Sequence, residues 1–381
     1  MGVRLFAWLG GIAMFFGVIF FVKYAFERNL IPPALRVALG FLAGAGFLLG
    51  GLWLHRKAAY RVLAQSLCAT GVLILYGVSF AAHAVYHFAA FSPPLTFALM
   101  TLVTAAAFLI AVRLDALVVA VLGMIGGFLS PVLLPSVQDN VFALFSYIAL
   151  LDLGLLAVAR YHKWSFLAIA AAAGTASMQL TWFVGFFEQG RYFEGSATLV
   201  PMGLLLFFSS LFLFAAWWSS RTRPDDLIPS GSALAVAVVS TLFGFGFLAY
   251  PDIAGRPFLL YGFILALNAA VLVIAAIEPR LAIAQVGAAL ATFIHLAMWT
   301  VSALTPELLG SALAIYLVFG GLHAVYPVLR NRLRPGTLDP LTGRVSPWFA
   351  PLVLVLMLIT VLVLPEVPHL AIVQLPQVLH G

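Results

Sequence analysis

Charge is what this 381-residue chain has least of. Asp, Glu, Lys and Arg make up 8% of it, where a soluble domain carries roughly a quarter. That scarcity excludes a water-soluble packing, because too little polar surface exists to cover so much apolar side chain. Cysteine is nearly absent as well: Cys68 stands alone, so no internal disulfide forms. The sequence holds no phosphate loop, no dinucleotide fingerprint and no cysteine-rich metal motif. Its longest polar connection runs from 330 to 346, too short for an inserted catalytic domain. These absences argue against ATP-driven transport within this chain alone, and no cofactor or metal is expected.

What is present is hydrophobic, 64% of all residues. The apolar residues fall into continuous blocks near the roughly 20 residues that a membrane-spanning helix needs. Continuous blocks rather than strict alternation exclude a lipid-facing β-barrel. The fold class is therefore all-α, a polytopic helical membrane protein with about thirteen transmembrane helices in one bundle. The predicted spans are 5–26, 34–54, 62–82, 95–112, 116–134, 141–159, 164–186, 197–218, 230–250, 258–277, 281–302, 308–329 and 347–364. Residues 1–364 form the transmembrane domain; 365–381 are an apolar tail that Pro365, Pro368 and Pro376 break up. Arg4 and the apolar run after it resemble a signal peptide. The run ends at Lys23 without a small-residue cleavage site, so it is read as a retained first span.

The few charges are sided. Alternating spans put Arg4, Arg56, Lys57, Arg61, Arg113, Arg160, Lys163, Arg221, Arg223, Arg280, Arg330, Arg332, Arg334 and Arg344 at the N-terminal face, fourteen of the nineteen basic residues. The positive-inside rule then predicts a cytoplasmic N-terminus and a C-terminus outside. It also accounts for the net charge of +6 without nucleic acid as a partner. Inward-running spans often follow proline and end in basic residues, a rhythm of helical hairpins about fifty residues long that duplication would produce. Gly40 and Gly44, Gly46 and Gly50, and Gly123 and Gly127 make G-x-x-x-G pairs, which let helices approach closely.

The stretch from Gly123 to Asp152 carries the sharpest signals. Glycines, Ser130, Pro131 and Pro135 predict a helix break near Ser130–Pro131. The next span holds one acid, Asp152, about 18 Å along from Asn140 at 1.5 Å per residue. A carboxyl there is protonated, paired or wetted by a cavity. Two readings stand side by side: a proton-coupling or substrate-binding group, or a structural pair with Arg113 at the end of the fourth span. Gln179 and Asn268 are expected at middle depth, with Gln65 and Gln285 nearer the inner face; interhelical hydrogen bonds are the ordinary role of such amides. His83 and His87, four apart, would share a helix face, but they lack the glutamate of H-E-x-x-H and any third ligand by spacing. Asp139 and Asn140 precede the sixth span as helix caps, although Asp139, Glu188, Glu194 and Asp252 also offer carboxylates on the outer face. Lys23, Glu27 and Arg36 cluster at the first outer turn, as an ion pair or a headgroup site.

Three stretches together resemble a known family: GVIFFVKYA from Gly17 with PALRVALG from Pro33, GGFLSP from Gly126, and LDLGL from Leu151. The family is the bacterial predicted multi-pass membrane proteins called domain of unknown function, number two-three-three-nine. The likeness is good over the first half and thin after about Gly190. It implies a bacterial inner (cytoplasmic) membrane, no established activity and no catalytic residues to carry over. Relatives look longer, with a soluble N-terminal segment and further spans that this sequence does not include. Three functions are then expected in turn: a carrier or flippase-like protein for an apolar or cell-envelope substrate, a membrane-embedded transferase acting on lipid-linked substrates, or a non-catalytic subunit of a membrane complex. The expected partners are membrane lipids and membrane proteins whose identity the sequence does not give.

Overall fold

The computed structural model describes residues 31–134, 139–187, 191–193, 195–333 and 340–364. The predicted first span, Lys23, Glu27, Pro135, Glu188, Glu194 and the tail lie outside these residues. Among the described residues every regular element is helical. Twelve long helices follow one another: α1 (Pro33–Leu54), α2 (Arg61–Phe80), α3 (Pro93–Leu114), α4 (Leu117–Leu133), α5 (Val141–His162), α6 (Phe166–Phe186), α7 (Leu199–Thr222), α8 (Ile228–Phe247), α9 (Pro257–Ile277), α10 (Ala284–Ala303), α11 (Leu309–Leu333) and α12 (Phe349–Val363). They match the second to the thirteenth predicted spans one for one. Ten helices are long and apolar enough to cross a membrane; Leu117–Leu133 and Pro351–Val363 are shorter apolar segments. Their outward side chains, Leu42, Leu109, Leu150 and Leu362 among them, stay exposed, as lipid-facing residues do in a solvent as apolar as themselves.

The chain divides into two compact units, Met1–Gln138 and Asp139–Gly381. In the first, α1 packs on α2 through glycine. A Cβ on Gly71 would stand 2.8 Å from the Gly44 carbonyl oxygen and 2.9 Å from the Leu48 nitrogen, so the two backbones touch. Gly40 meets Val78 in the same way, whereas Gly46 and Gly50 face open space. One of the two predicted pairs in this helix is thus a packing surface. Tyr76 of α2 ties three helices together: its hydroxyl lies 2.7 Å from Thr104 Oγ1 of α3 and donates to the Gly123 carbonyl of α4 at 3.3 Å. Gln65 Nε2 donates to the last carbonyls of α3, Leu114 (3.0 Å) and Asp115 (3.2 Å), which no helical N–H reaches.

The break expected at Ser130–Pro131 does not occur there. Helix α4 runs through Pro131 to Leu133. Pro131 sits in the last turn, so the ladder bond it withholds is the single one to the Gly127 carbonyl. The hydroxyl of Ser130 donates to the Gly126 carbonyl at 2.6 Å and holds the turn closed.

In the second unit, α9 lies against α7, α8, α10 and α11 and is buried on most of its surface. The helices pair as consecutive hairpins throughout: α1/α2, α3/α4, α5/α6, α7/α8, α9/α10 and α11/α12. The first helix of each hairpin shares a register. Its twelfth residue is Gly44 in α1, Thr104 in α3, Asp152 in α5, Asn268 in α9 and Gly320 in α11. In α7 the twelfth residue, Ser210, is exposed, and the buried Ser209 comes one place earlier. At this height each makes a close contact with a neighbouring helix: Gly44 with α2, Gly320 with Val353 of α12, Ser209 with Ser240 of α8 at 3.1 Å.

Candidate functional site

Helix α5 starts where Asn140 caps it, its Oδ1 accepting from the Ala143 N–H at 3.2 Å, and ends at Lys163, whose φ of 61° takes the chain out of the helix. Between these ends the 3.6-residue period decides which side chains face inward. Leu150 and Leu153 are 64% and 51% exposed, while Asp152 between them is 0% exposed. The carboxyl therefore points into the protein about 17 Å along the helix from Val141. Its partner is Thr175 of α6, which is also fully buried and donates from Oγ1 to Asp152 Oδ2 at 2.6 Å. Among the described residues Asp152 Oδ1 has no hydrogen-bond partner.

Helix α6 carries the rest of the site on one face. Its buried residues include Ala168, Ala171, Ala172, Thr175, Gln179 and Trp182, the spacing of a single helical stripe. The alanines let neighbours come close at one end, and the polar groups follow one per turn. Gln179, one turn beyond Thr175, is buried, and neither its Oε1 nor its Nε2 finds a partner among the described residues. Buried amides without partners are rare and costly, so α5 and α6 hold two open polar groups inside an apolar zone.

A further turn along, Trp182 closes the site on one side. Its Nε1–H donates to Asp139 Oδ1 at 3.0 Å, and the Tyr192 hydroxyl donates to Asp139 Oδ2. Arg191 Nη1 stands 3.7 Å from the same carboxylate. Rings fill the space around them: Phe145 meets Trp182 edge-on at 5.7 Å, and Tyr192 meets it at 5.2 Å. Burial, then the bond to Asp139 and its negative charge, push the Tyr192 phenol up to about 12. The group stays a neutral donor to the carboxylate.

The predicted residues go to different places. Asp152 and Gln179 belong to the α5/α6 site. Arg113 is exposed in the last turn of α3, within the first unit, and among the described residues the group bonded to Asp152 is the Thr175 hydroxyl. Ser130 and Pro131 close the end of α4. Asn268 is taken up by α10, donating from Nδ2 to Thr292 Oγ1 at 2.9 Å and accepting from it at 3.1 Å. Asp139 is not a helix cap; Asn140 alone fills that role, which leaves Asp139 for Trp182, Tyr192 and Arg191. His83 and His87 do not share a helix face, because α2 widens into a π-turn over Ala81–Val85 and His87 has φ 50°. His83 Nδ1 lies 2.7 Å from the Phe91 carbonyl. Among the described residues no three His, Cys, Asp or Glu side chains gather as metal ligands.

Thr175, Trp182 and Tyr192 were not singled out in the sequence, nor were the fully buried His295 and His323. Thr175 has a usable signal, its four-residue offset from Gln179. The histidines have another, an imidazole inside an apolar span.

The sequence family described as Predicted membrane protein (DUF2339) matches residues 2–255. The match takes in α1 to α8 and reaches well beyond Gly190, where the motif likeness thins. Comparison with curated proteins gave no match, and comparison with solved structures gave none.

Proposed function

The chain belongs to the predicted membrane protein family DUF2339, and from that premise we propose that it is a carrier or flippase-like protein of the bacterial inner membrane. Its substrate is an amphiphile of the cell-envelope kind, with an apolar body and a polar group that donates hydrogen bonds. The observation that carries this reading is the open Oδ1 of buried Asp152, whose partner Thr175 stands one helical turn before the unpartnered amide of Gln179 on α6. An ionised Asp152 accepts from a guest hydroxyl or amine, and a protonated one offers a donor instead. Gln179 supplies a donor and an acceptor in either state. Movement of a proton on and off Asp152 thus changes what the site holds. The sidedness of the basic residues supports a cytoplasmic N-terminus and a C-terminus outside.

The transferase reading rests on carboxylates at the outer face, and there Asp139 is engaged by Trp182, Tyr192 and Arg191, which supports a structural part for it. The test of the carrier is the Asp152→Asn variant of the full chain, reconstituted in liposomes that contain a pH dye. A short-chain fluorescent phospholipid serves as first probe. Loss of a charge-assisted contact predicts a fall in probe-dependent proton flux of about tenfold or more, with an unchanged elution profile. Equal flux in variant and wild type would remove Asp152 from the coupling role.

A further inference from the structure

Far along the chain from Asp152, helix α11 buries a histidine that the carrier reading does not use. His323 is 0% exposed, and neither ring nitrogen has a hydrogen-bond partner among the described residues. Its ring lies 6.2 Å from Phe293 of α10 and 5.9 Å from Phe349 of α12. Four residues further on, Pro327 stands inside α11 and has no N–H to give to the His323 carbonyl. Both ring nitrogens, one carrying a proton and one bare, are therefore left without the partner that each ordinarily has, on a residue whose main-chain carbonyl Pro327 cannot serve.

The same unit shows how it treats a buried histidine when it closes one off. His295 of α10 has Nε2 3.1 Å from the Gly244 carbonyl and Nδ1 3.1 Å from the Tyr261 hydroxyl. Both nitrogens are used, by two helices. His323 has the rings of Phe293 and Phe349 beside it and, among the described residues, no hydrogen-bond partner for either nitrogen. In a membrane, groups freed by a helix-interior proline are served by neighbouring hydroxyls and by ordered water. The two nitrogens of one imidazole point apart, so one hydroxyl cannot satisfy both.

We propose that α10, α11 and α12 enclose a hydroxyl-binding site on His323, filled by at least two hydroxyl groups, either of ordered waters or of a polyol-headed lipid. One accepts from the imidazole N–H, and the other donates its proton to the bare ring nitrogen. Polar side chains lie beyond it on the same helix, the Tyr326 hydroxyl donating to the Leu272 carbonyl of α9 at 2.7 Å. Tyr326, Pro327 and Arg330 follow His323 on one helix face, Arg330 being buried. Gln285, at the start of the adjoining α10, is fully buried with no partner for its amide among the described residues.

The test uses the full chain in lipid nanodiscs with ¹⁵N-labelled histidine and solid-state NMR. The His323 signals are identified by their loss in His323→Phe, which matches the surrounding rings in shape. Should that variant fail to fold, His323→Gln provides the same assignment with a polar side chain. The expected result is a neutral ring with both nitrogens hydrogen-bonded and magnetisation transfer from water protons. Transfer from lipid protons instead, in deuterated water, assigns the hydroxyls to a polyol headgroup. Ring nitrogens at the positions of unbonded imidazole, with transfer from neither source, would overturn the proposal.

Discussion

The hairpins α5/α6 and α9/α10 pose the same problem and solve it differently. Each places a polar residue at the twelfth position of its first helix, Asp152 and Asn268, and answers it with a threonine from the second, Thr175 and Thr292. In α9/α10 the exchange is complete. The Asn268 amide donates to Thr292 Oγ1 and to the Ile264 carbonyl and accepts from the same hydroxyl. In α5/α6 the hydroxyl can serve only one carboxyl oxygen, and Oδ1 is left over. An amide and a hydroxyl carry donors and acceptors in balance, so they glue two helices. A carboxyl and a hydroxyl do not balance, so they leave a place for a third group. At the same position of its helix, one hairpin is thus closed and the other keeps an open polar atom.

The largest way to break this comparison is to give α9 the chemistry of α5. Asn268→Asp removes both Nδ2 donations, and the loss of a buried hydrogen-bonded donor predicts a destabilisation of about 1–3 kcal/mol. Thermal unfolding of the purified protein in detergent measures it. A variant as stable as the wild type would mean that the pair contributes no adhesion. The reverse exchange sharpens the contrast. Asp152→Asn gives Thr175 a balanced partner, and relief of an unpartnered buried oxygen predicts a gain of about 1 kcal/mol. A loss of similar size would instead make Asp152 part of the scaffold. The smallest effect tests the closed end of α5/α6. The Tyr192 phenol is held up at about 12 by burial and by Asp139. Its folded value lies above the ordinary 10, so the stabilisation is complete below pH 10 and is lost as pH rises through 12. In Asp139→Asn the tyrosinate absorbance that Tyr192→Phe removes is expected to appear nearer pH 10. An unmoved midpoint would show that burial acts without the carboxylate.

Most of the architecture was legible because lipid allows few alternatives. A block of about 20 apolar residues must be a helix there, and the basic residues marked where each hairpin turns. Helix ends moved for reasons that hydropathy does not contain. Helix α7 runs on to Thr222 because Ser220 and Thr222 return their hydroxyls to the Trp217 and Trp218 carbonyls, at 2.8 and 3.2 Å, which keeps polar residues helical. Pro131 was legible as a helix-breaker, but its place in the last turn, above a glycine, was not. At the site, Asp152 and Gln179 stood out because a charge or amide in an apolar run is costly. The partner did not stand out. Charge complementarity draws the eye to Arg113, but Asp152 Oδ2 is met by a hydroxyl, a group common in apolar helices and cheap to bury beside its own helix carbonyls. Asp139 was misplaced for a related reason: a residue next to a helix start suggests a cap, and only the fold shows Trp182 and Tyr192 waiting for it.

The shared register of the hairpins has a consequence for how such a protein changes over generations. At the twelfth position stand glycine, threonine, aspartate, asparagine and glycine. In the genetic code, aspartate and asparagine are separated by a single base, as are asparagine and threonine, and glycine and aspartate. Outside α7, where Ser210 is exposed, the slot already faces a neighbouring helix in each hairpin. A charged group inside an apolar span can therefore be gained, moved to another hairpin or erased by point mutation, while the backbone that presents it stays as it is.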